Sequence, residues 1–174
     1  SLPSLDLANA RFLVSFSADF LHNWISPVQF ARAYGAFRQG RPDVRGTYYH
    51  VGPRLSGTAA NADRWFPIRP GAEGLVALSM AQVMLEEGLV EEANAEPFFQ
   101  ALGLTADQIA GQFAPEQVAD AAGLTAEQIQ ELARAFAEQR PSIAIAGTSA
   151  AATTNGLFNL VAVFALNYLV GSVG

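Results

Sequence analysis

Three short apolar runs constrain the fold of this 174-residue chain most strongly. They cover residues 11–16, 46–51 and 142–146, and a helix start at Ser26-Pro27 separates the first two. The runs 11–16 and 142–146 lack alternation, which is typical of strands buried on both faces of a sheet, and 46–51 is rich in strand-forming residues. A strand, a helix and a second strand form a βαβ unit, whose strands are parallel. The sequence therefore predicts a single α/β domain over 1–174, a three-layer Rossmann-like fold with a mostly parallel sheet and helices on both faces.

Helix signals fill much of the remaining chain. Ser26 is a good N-cap, Pro27 suits the first helical position and Gln29 completes a capping box. Thr105 and Thr125 begin two further helices, each with glutamine three residues on. The pattern also predicts helices over about 71–89 and 157–170, a long loop with only a turn or two over 52–64 and an acidic connector over 91–96. The apolar run 157–170 contains Asn159 and Asn167, so it is too short and too polar to span a bilayer.

The segment Asn61–Gly74 is the most distinctive connection in the chain. Trp65, Phe66 and Ile68 can anchor it in a core, and its two prolines hold it extended. A helix is predicted to begin at about Gly71. A rigid loop that ends at a helix N-terminus offers free backbone N–H groups, which suit an anion or a polar ligand. The alternative is an ordered strand-to-helix connection without a ligand.

Composition excludes several kinds of chemistry. The chain has no cysteine, which excludes disulfides, cysteine nucleophiles and iron–sulfur ligation within it. Its two histidines, His22 and His50, have no ligand spacing with another candidate, so no metal site is predicted. Neither a dinucleotide fingerprint nor a P-loop is present, and Ser149 lacks partners for a hydrolase triad. A net charge of −6 argues against nucleic-acid binding, although residues 1–70 carry +4 and residues 71–174 carry −10.

Polar loops follow all three predicted strands, at 17–19, 52–58 and 147–149. In open parallel sheets, ligands bind beyond the carboxyl ends of the strands. A carboxylate there suits a purine edge, whereas arginine and backbone N–H groups suit phosphates. We expect no catalytic residue in the chain. The candidate cofactor-binding residues are Asp19, Pro53, Arg54, Thr58, Arg69, Gly71, Glu73 and Gly147.

The run from Pro53-Arg54 through Thr58 and Asp63 to Arg69-Pro70-Gly71 resembles the pterin-dinucleotide-binding α/β domain of the molybdopterin oxidoreductase family. That family includes dimethyl sulfoxide reductases and formate dehydrogenases. The runs 114–147 and 166–174 resemble it too. More narrowly, 16–28 with Tyr34 and Phe37-Arg38 resembles the large iron–sulfur subunit of bacterial alternative complex III, a membrane quinol oxidoreductase that feeds electrons to periplasmic acceptors.

The resemblance implies a fragment of a larger oxidoreductase subunit. The parent would carry iron–sulfur clusters elsewhere in its polypeptide and could carry molybdopterin guanine dinucleotide. Its partners would be the rest of its polypeptide and other subunits of a membrane-bound respiratory complex. Its place would be the periplasmic face of a bacterial membrane, or the cytoplasm for a different family member.

Three positions depart from the pattern of pterin-binding relatives. Ser17 stands where glycine is usual, and Glu73 stands for aspartate. Gly52 replaces the aspartate that takes the ribose hydroxyls. We therefore expect a mainly structural domain with a degenerate cofactor cleft and no cofactor bound within it. The alternatives are the guanosine-binding domain of an active molybdenum or tungsten oxidoreductase and a stand-alone, non-catalytic binding module.

Overall fold

The computed structural model describes residues 6–22, 26–152 and 154–173, without the side chains of 148 and 149. Within these ranges a four-stranded sheet has the order β3-β2-β1-β4, and every pair is parallel. Phe12 on the central strand pairs with Thr47 and with Ser142. The strands are β1 (Phe12–Phe16), β2 (Thr47–Val51), β3 (Arg64–Phe66) and β4 (Ser142–Ala146).

Helices cover both faces of this sheet, so the predicted three-layer α/β fold is confirmed. Phe12, Val14 and Phe16 point into the larger core, whereas Leu13 points into the smaller one. Because β1 is buried on both sides, its sequence shows no alternation. The helices are α1 (Pro27–Gln39), α2 (Gly57–Ala60), α3 (Glu73–Glu86), α4 (Glu92–Leu102), α5 (Ala106–Gln112), α6 (Pro115–Ala122), α7 (Ala126–Glu138), α8 (Thr148–Ala151) and α9 (Gly156–Leu169), with a 3₁₀ turn at Leu7–Asn9.

Two buried asparagines in the apolar helix α9 hold neighbouring backbone. The Asn167 side chain accepts from the Ala144 N–H and donates to the Ala144 carbonyl, both at 2.9 Å, which satisfies the edge of β4. The Asn159 side chain accepts from the Gly74 N–H at 3.1 Å and donates to the Gly71 carbonyl at 3.3 Å. The start of α3 is therefore fixed to α9. In the described part of the chain, no helix is both long and apolar enough to cross a membrane.

Parts of the local prediction were wrong. The one-turn helix α2 fits the turn or two expected in the loop 52–64, but the edge strand β3, which begins at Arg64, was not predicted. The acidic connector is largely the first turns of α4, which begins at Glu92. Ser26 makes no side-chain cap hydrogen bond, although Pro27 does begin α1. The capping boxes at Thr105 and Thr125 are present as predicted.

Asp63 explains how so short a strand as β3 is held. Its carboxylate accepts from Arg38 at 2.6 and 3.3 Å and from the Tyr48 backbone N–H at 2.8 Å. Burial raises the pKa of Asp63, but these hydrogen bonds and the Arg38 charge outweigh it and hold the pKa below its usual range. Asp63 therefore links the start of β3 to β2 through Tyr48 and to α1 through Arg38.

Candidate functional site

A cleft of about 860 Å³ lies at the carboxyl ends of β1, β2 and β3. It lies where a parallel sheet is expected to bind ligands. Six of the eight candidate cofactor-binding residues line it: Asp19, Pro53, Arg54, Arg69, Gly71 and Glu73. The other two, Thr58 and Gly147, are buried and do not line the cleft.

Glu73 is the first residue of α3 and is 1% exposed. The Ser17 hydroxyl donates to one carboxylate oxygen, Oε1, at 2.8 Å. The other oxygen, Oε2, is buried without a hydrogen-bond partner among the described residues. A buried carboxylate in the wall of a cleft, with one acceptor unused, is suited to an N–H donor of a ligand.

Ser17 adopts a backbone conformation that favours glycine. Its φ is +57°, in the left-handed region, which strains a residue with a Cβ. The backbone is held there because the Ser17 N–H donates to the Val51 carbonyl at 2.8 Å. The departure from glycine at this position therefore adds strain and places a hydroxyl group on Glu73.

Asp19, which lines the same cleft, contacts Thr58 and His22. The Thr58 hydroxyl donates to the Asp19 carboxylate. The His22 Nδ1 atom lies 3.1 Å from the Asp19 carboxylate and 3.3 Å from the Thr58 hydroxyl. Burial raises the pKa of Asp19, but the hydrogen bonds from Thr58 and His22 lower it below its usual range. Both contacts are made to the same oxygen, Oδ1, so Asp19 is a carboxylate with one oxygen held by Thr58 and His22.

His50 lines the cleft although the sequence did not single it out as a site residue. It is 3% exposed, and its Nδ1 atom shares a 2.7 Å hydrogen bond with the Tyr48 hydroxyl. Burial lowers the pKa of His50 to about 4, so the ring is neutral at pH 7. A Cβ on Gly52 would lie 2.9 Å from its Nε2 atom. His50 therefore occupies the space that a side chain at position 52 would need. The occurrence of a histidine at position 50 with a glycine at position 52 was the sequence signal that could have identified His50 as a site residue.

The two arginines of the cleft remain accessible. Arg54 and Arg69 are exposed, and neither forms an ion pair with a described residue. The Arg69 backbone N–H donates to the Ala122 carbonyl at 2.9 Å, which fixes the loop. Trp65 supports the opposite side by donating from its indole to the Gly52 carbonyl at 3.0 Å. The cleft thus combines a buried carboxylate with two cationic side chains at its mouth.

Gly147 has a steric reason for being glycine. Its N–H donates to the Phe16 carbonyl at 3.1 Å, and a Cβ would lie 2.5 Å from the Ala18 Cα atom. It permits close approach of the β1 and β4 ends. The Thr148 and Ser149 side chains, also predicted in this loop, lie outside the described residues, as does Trp24 of the narrower sequence resemblance.

The fold and the cleft define the class of protein: a parallel α/β domain with a ligand-type cleft at the carboxyl ends of its strands. Comparison with known proteins then shows which proteins the chain is similar to. The chain is 32% identical over 168 residues to the menaquinone reductase, molybdopterin-binding-like subunit of Nitratidesulfovibrio vulgaris, covering 97% of this chain and 23% of that protein. It is 29% identical over 171 residues to the thiosulfate reductase molybdopterin-containing subunit of Salmonella typhimurium, covering 98% and 22% respectively.

The solved structure of acetylene hydratase from Pelobacter acetylenicus shares the fold. It superposes with a TM-score of 0.75 at 23% identity, over 99% of this chain and 23% of that one. No family model matches the sequence. The homologues of the chain are molybdopterin-binding oxidoreductase subunits of the dimethyl sulfoxide reductase type, so the predicted resemblance to that family is confirmed. The narrower resemblance, to the alternative complex III subunit, stays a prediction. It spans under a quarter of the length of these relatives.

Proposed function

We propose that the chain is a mainly structural domain of a molybdopterin-like subunit in a membrane-bound respiratory complex that oxidises quinol, of the alternative complex III kind. The relative from Nitratidesulfovibrio vulgaris is named as a molybdopterin-binding-like subunit of a menaquinone reductase, which supports a place in a complex that acts on quinones; the direction, quinol oxidation, is part of the proposal. The parent would lie at the periplasmic face of a bacterial membrane, with iron–sulfur clusters outside this chain. The domain would serve assembly with the rest of its polypeptide and with partner subunits.

The main support for this proposal is that residues lining the cleft differ from those that a pterin dinucleotide needs. Ser17 uses one oxygen of Glu73, and it does so from a strained left-handed backbone where the family has glycine. Gly52 offers no carboxylate to a ribose, and His50 fills the adjacent space. These residues do not fit a complete pterin guanine dinucleotide. The cleft is degenerate in this proposal and mainly sets the connection between β2, β3 and α3.

A second function is favoured by one specific observation. Glu73 Oε2 is buried and unpartnered, and Arg54 and Arg69 make no ion pair with the described residues. A carboxylate facing a guanine edge, with guanidinium groups near phosphate, would suit the guanosine half of the dinucleotide. The chain would then be the guanosine-binding domain of an active molybdenum or tungsten oxidoreductase.

Binding of guanosine monophosphate to the purified chain separates these two functions. Isothermal titration calorimetry is expected to show no saturable binding up to 1 mM, a concentration of the order that detects affinities near −4 kcal/mol. The matched pair is Glu73→Gln, which changes the cleft, and Glu127→Gln, which makes the same charge change on the exposed first turn of α7. Micromolar binding that Glu73→Gln abolishes and Glu127→Gln preserves would establish the second function instead.

A further inference from the structure

The end of β2 leaves no room for a side chain at position 52. His50 and Gly52 both line the cleft at the strand ends. A Cβ on Gly52 would lie 2.9 Å from His50 Nε2, 3.3 Å from Ser17 Oγ and 3.4 Å from His50 Cδ2, which are its three nearest atoms among the described residues beyond its chain neighbours. All three atoms belong to side chains, so it is the side chains of His50 and Ser17 that exclude one at position 52.

The backbone at position 52 does not itself require glycine, because its φ lies outside the left-handed region. Its place is nevertheless fixed. The Gly52 N–H donates to the Phe66 carbonyl at 3.1 Å, and the Gly52 carbonyl accepts from the Ile68 N–H at 3.4 Å and from the Trp65 indole at 3.0 Å. The backbone can move away from His50 only by breaking these hydrogen bonds.

The imidazole of His50 is fixed as well. The residue is 3% exposed, and its Nδ1 atom shares a 2.7 Å hydrogen bond with the Tyr48 hydroxyl. Tyr48 is fully buried in the smaller core, where its ring packs edge-on against Phe20 and Tyr34, with 5.4 and 5.9 Å between ring centroids. A turn of the His50 ring would take this partner from a buried hydroxyl. The smaller core therefore determines where His50 Nε2 lies in the cleft.

The topology of the sheet shows which ligand group is affected. The described strands have the order β3-β2-β1-β4, and α1 connects β1 to β2. In nucleotide-binding sheets of this order, an acidic residue that follows the second strand hydrogen-bonds the ribose hydroxyls. Position 52 directly follows β2. His50 thus occupies the place of a ribose-binding carboxylate.

We propose that His50 is the residue that excludes nucleosides from this cleft, with Ser17 narrowing the same space. A carboxylate can accept from both hydroxyls of a ribose, whereas Nε2 of an imidazole makes one hydrogen bond. The inference rests on the proposed function, in which the cleft is degenerate, and supplies a cause for it. Because the space is filled from β2 itself, an acidic residue at position 52 restores the ribose contact only when His50 is replaced too.

A cycle of unfolding measurements tests the steric part. Gly52→Ala is expected to lower the urea midpoint of the chain, and to lower it only about half as much or less in a His50→Ala background. Gly35→Ala is the matched control, because its Cβ would meet nothing within 4 Å, and its effect should be the same in both backgrounds. An equal loss from Gly52→Ala in both backgrounds would overturn the inference.

Titration calorimetry with guanosine monophosphate tests the ligand part. The unchanged chain, Gly52→Asp and His50→Ala/Gly52→Ala are expected to show no saturable binding up to about 1 mM. His50→Ala/Gly52→Asp is expected to bind saturably. It should bind this nucleotide about tenfold more tightly than the 2′,3′-dideoxy analogue, because the carboxylate accepts hydrogen bonds from the ribose hydroxyls.

The outcomes separate the inference from the proposed function. Absence of binding by folded His50→Ala/Gly52→Asp, or equal binding of the two nucleotides, would overturn the inference and leave the proposed function standing. Saturable binding by the unchanged chain would refute both the degenerate cleft and the exclusion of nucleosides. If His50→Ala/Gly52→Asp does not fold, the unfolding cycle with Gly52→Ala decides the inference alone.

Discussion

Substitution of Ser17 separates two opposing effects on stability: its hydrogen bond to Glu73 and its backbone strain. Ser17→Ala removes the 2.8 Å hydrogen bond to the Glu73 carboxylate, which is 1% exposed and lacks a partner on its other oxygen. A hydrogen bond to a charged group contributes about 1.5–3 kcal/mol. Alanine keeps the left-handed strain at φ +57°, whereas Ser17→Gly removes the same hydrogen bond and relieves about 1 kcal/mol of that strain. We therefore expect Ser17→Ala to lower the free energy of unfolding by about 2 kcal/mol and Ser17→Gly by about 1 kcal/mol.

Urea unfolding at pH 7, followed by circular dichroism with a common m-value, measures both changes. The double variant Ser17→Ala/Glu73→Gln provides the control. The loss of unfolding free energy caused by Ser17→Ala should be smaller when a neutral amide has already replaced the Glu73 carboxylate. Equal stability of the alanine and glycine variants would refute the strain at position 17. An unchanged stability of Ser17→Ala would refute the hydrogen bond to Glu73 as a stabilising contact.

Four further variants test the residues that support the cleft and the sheet around it. His50 has a pKa of about 4 in the native state, whereas an unfolded histidine takes up its proton near pH 6.5. The free energy of unfolding should therefore fall by about 3 kcal/mol as the pH is lowered from 6.5 to 4. His50→Gln should flatten this pH dependence in unfolding titrations. Gly147→Ala should cost about 2–3 kcal/mol in urea unfolding, because its Cβ meets backbone. Gly35→Ala, in open space on α1, should instead stabilise the chain by about 1 kcal/mol. Asp63→Ala should lower the thermal midpoint and cost about 2–3 kcal/mol, because it leaves the largely buried Arg38 guanidinium without its carboxylate, and a neutral result would contradict the role given to this pair.

The sheet could be predicted because its central strands are buried on both faces. A residue such as Leu13 and its neighbours Phe12 and Val14 enter different cores, so the whole run must be apolar. The edge strand β3 could not be found in this way. Arg64 and Trp65 are exposed there, and the strand is held by Asp63 acting on distant residues. Such contacts have no local signal in the sequence.

The sequence predicted where the candidate site lies, but not all of the residues and contacts that form it. The rule that ligands bind beyond parallel strand ends placed Asp19, Arg54 and Glu73 at one cleft. The contribution of His50 was missed because its direction depends on the Tyr48 hydroxyl and on the missing side chain at Gly52. The positive φ of Ser17 was likewise invisible, since it follows from how the ends of β1 and β2 meet.

In the proposed function, this cleft does not hold a pterin dinucleotide. The pterin and metal content of the purified parent polypeptide tests this directly, measured as oxidised fluorescent pterin and as molybdenum or tungsten by mass spectrometry. We expect the pterin and both metals to be far below one equivalent per polypeptide. One equivalent of pterin together with one of molybdenum or tungsten would contradict it.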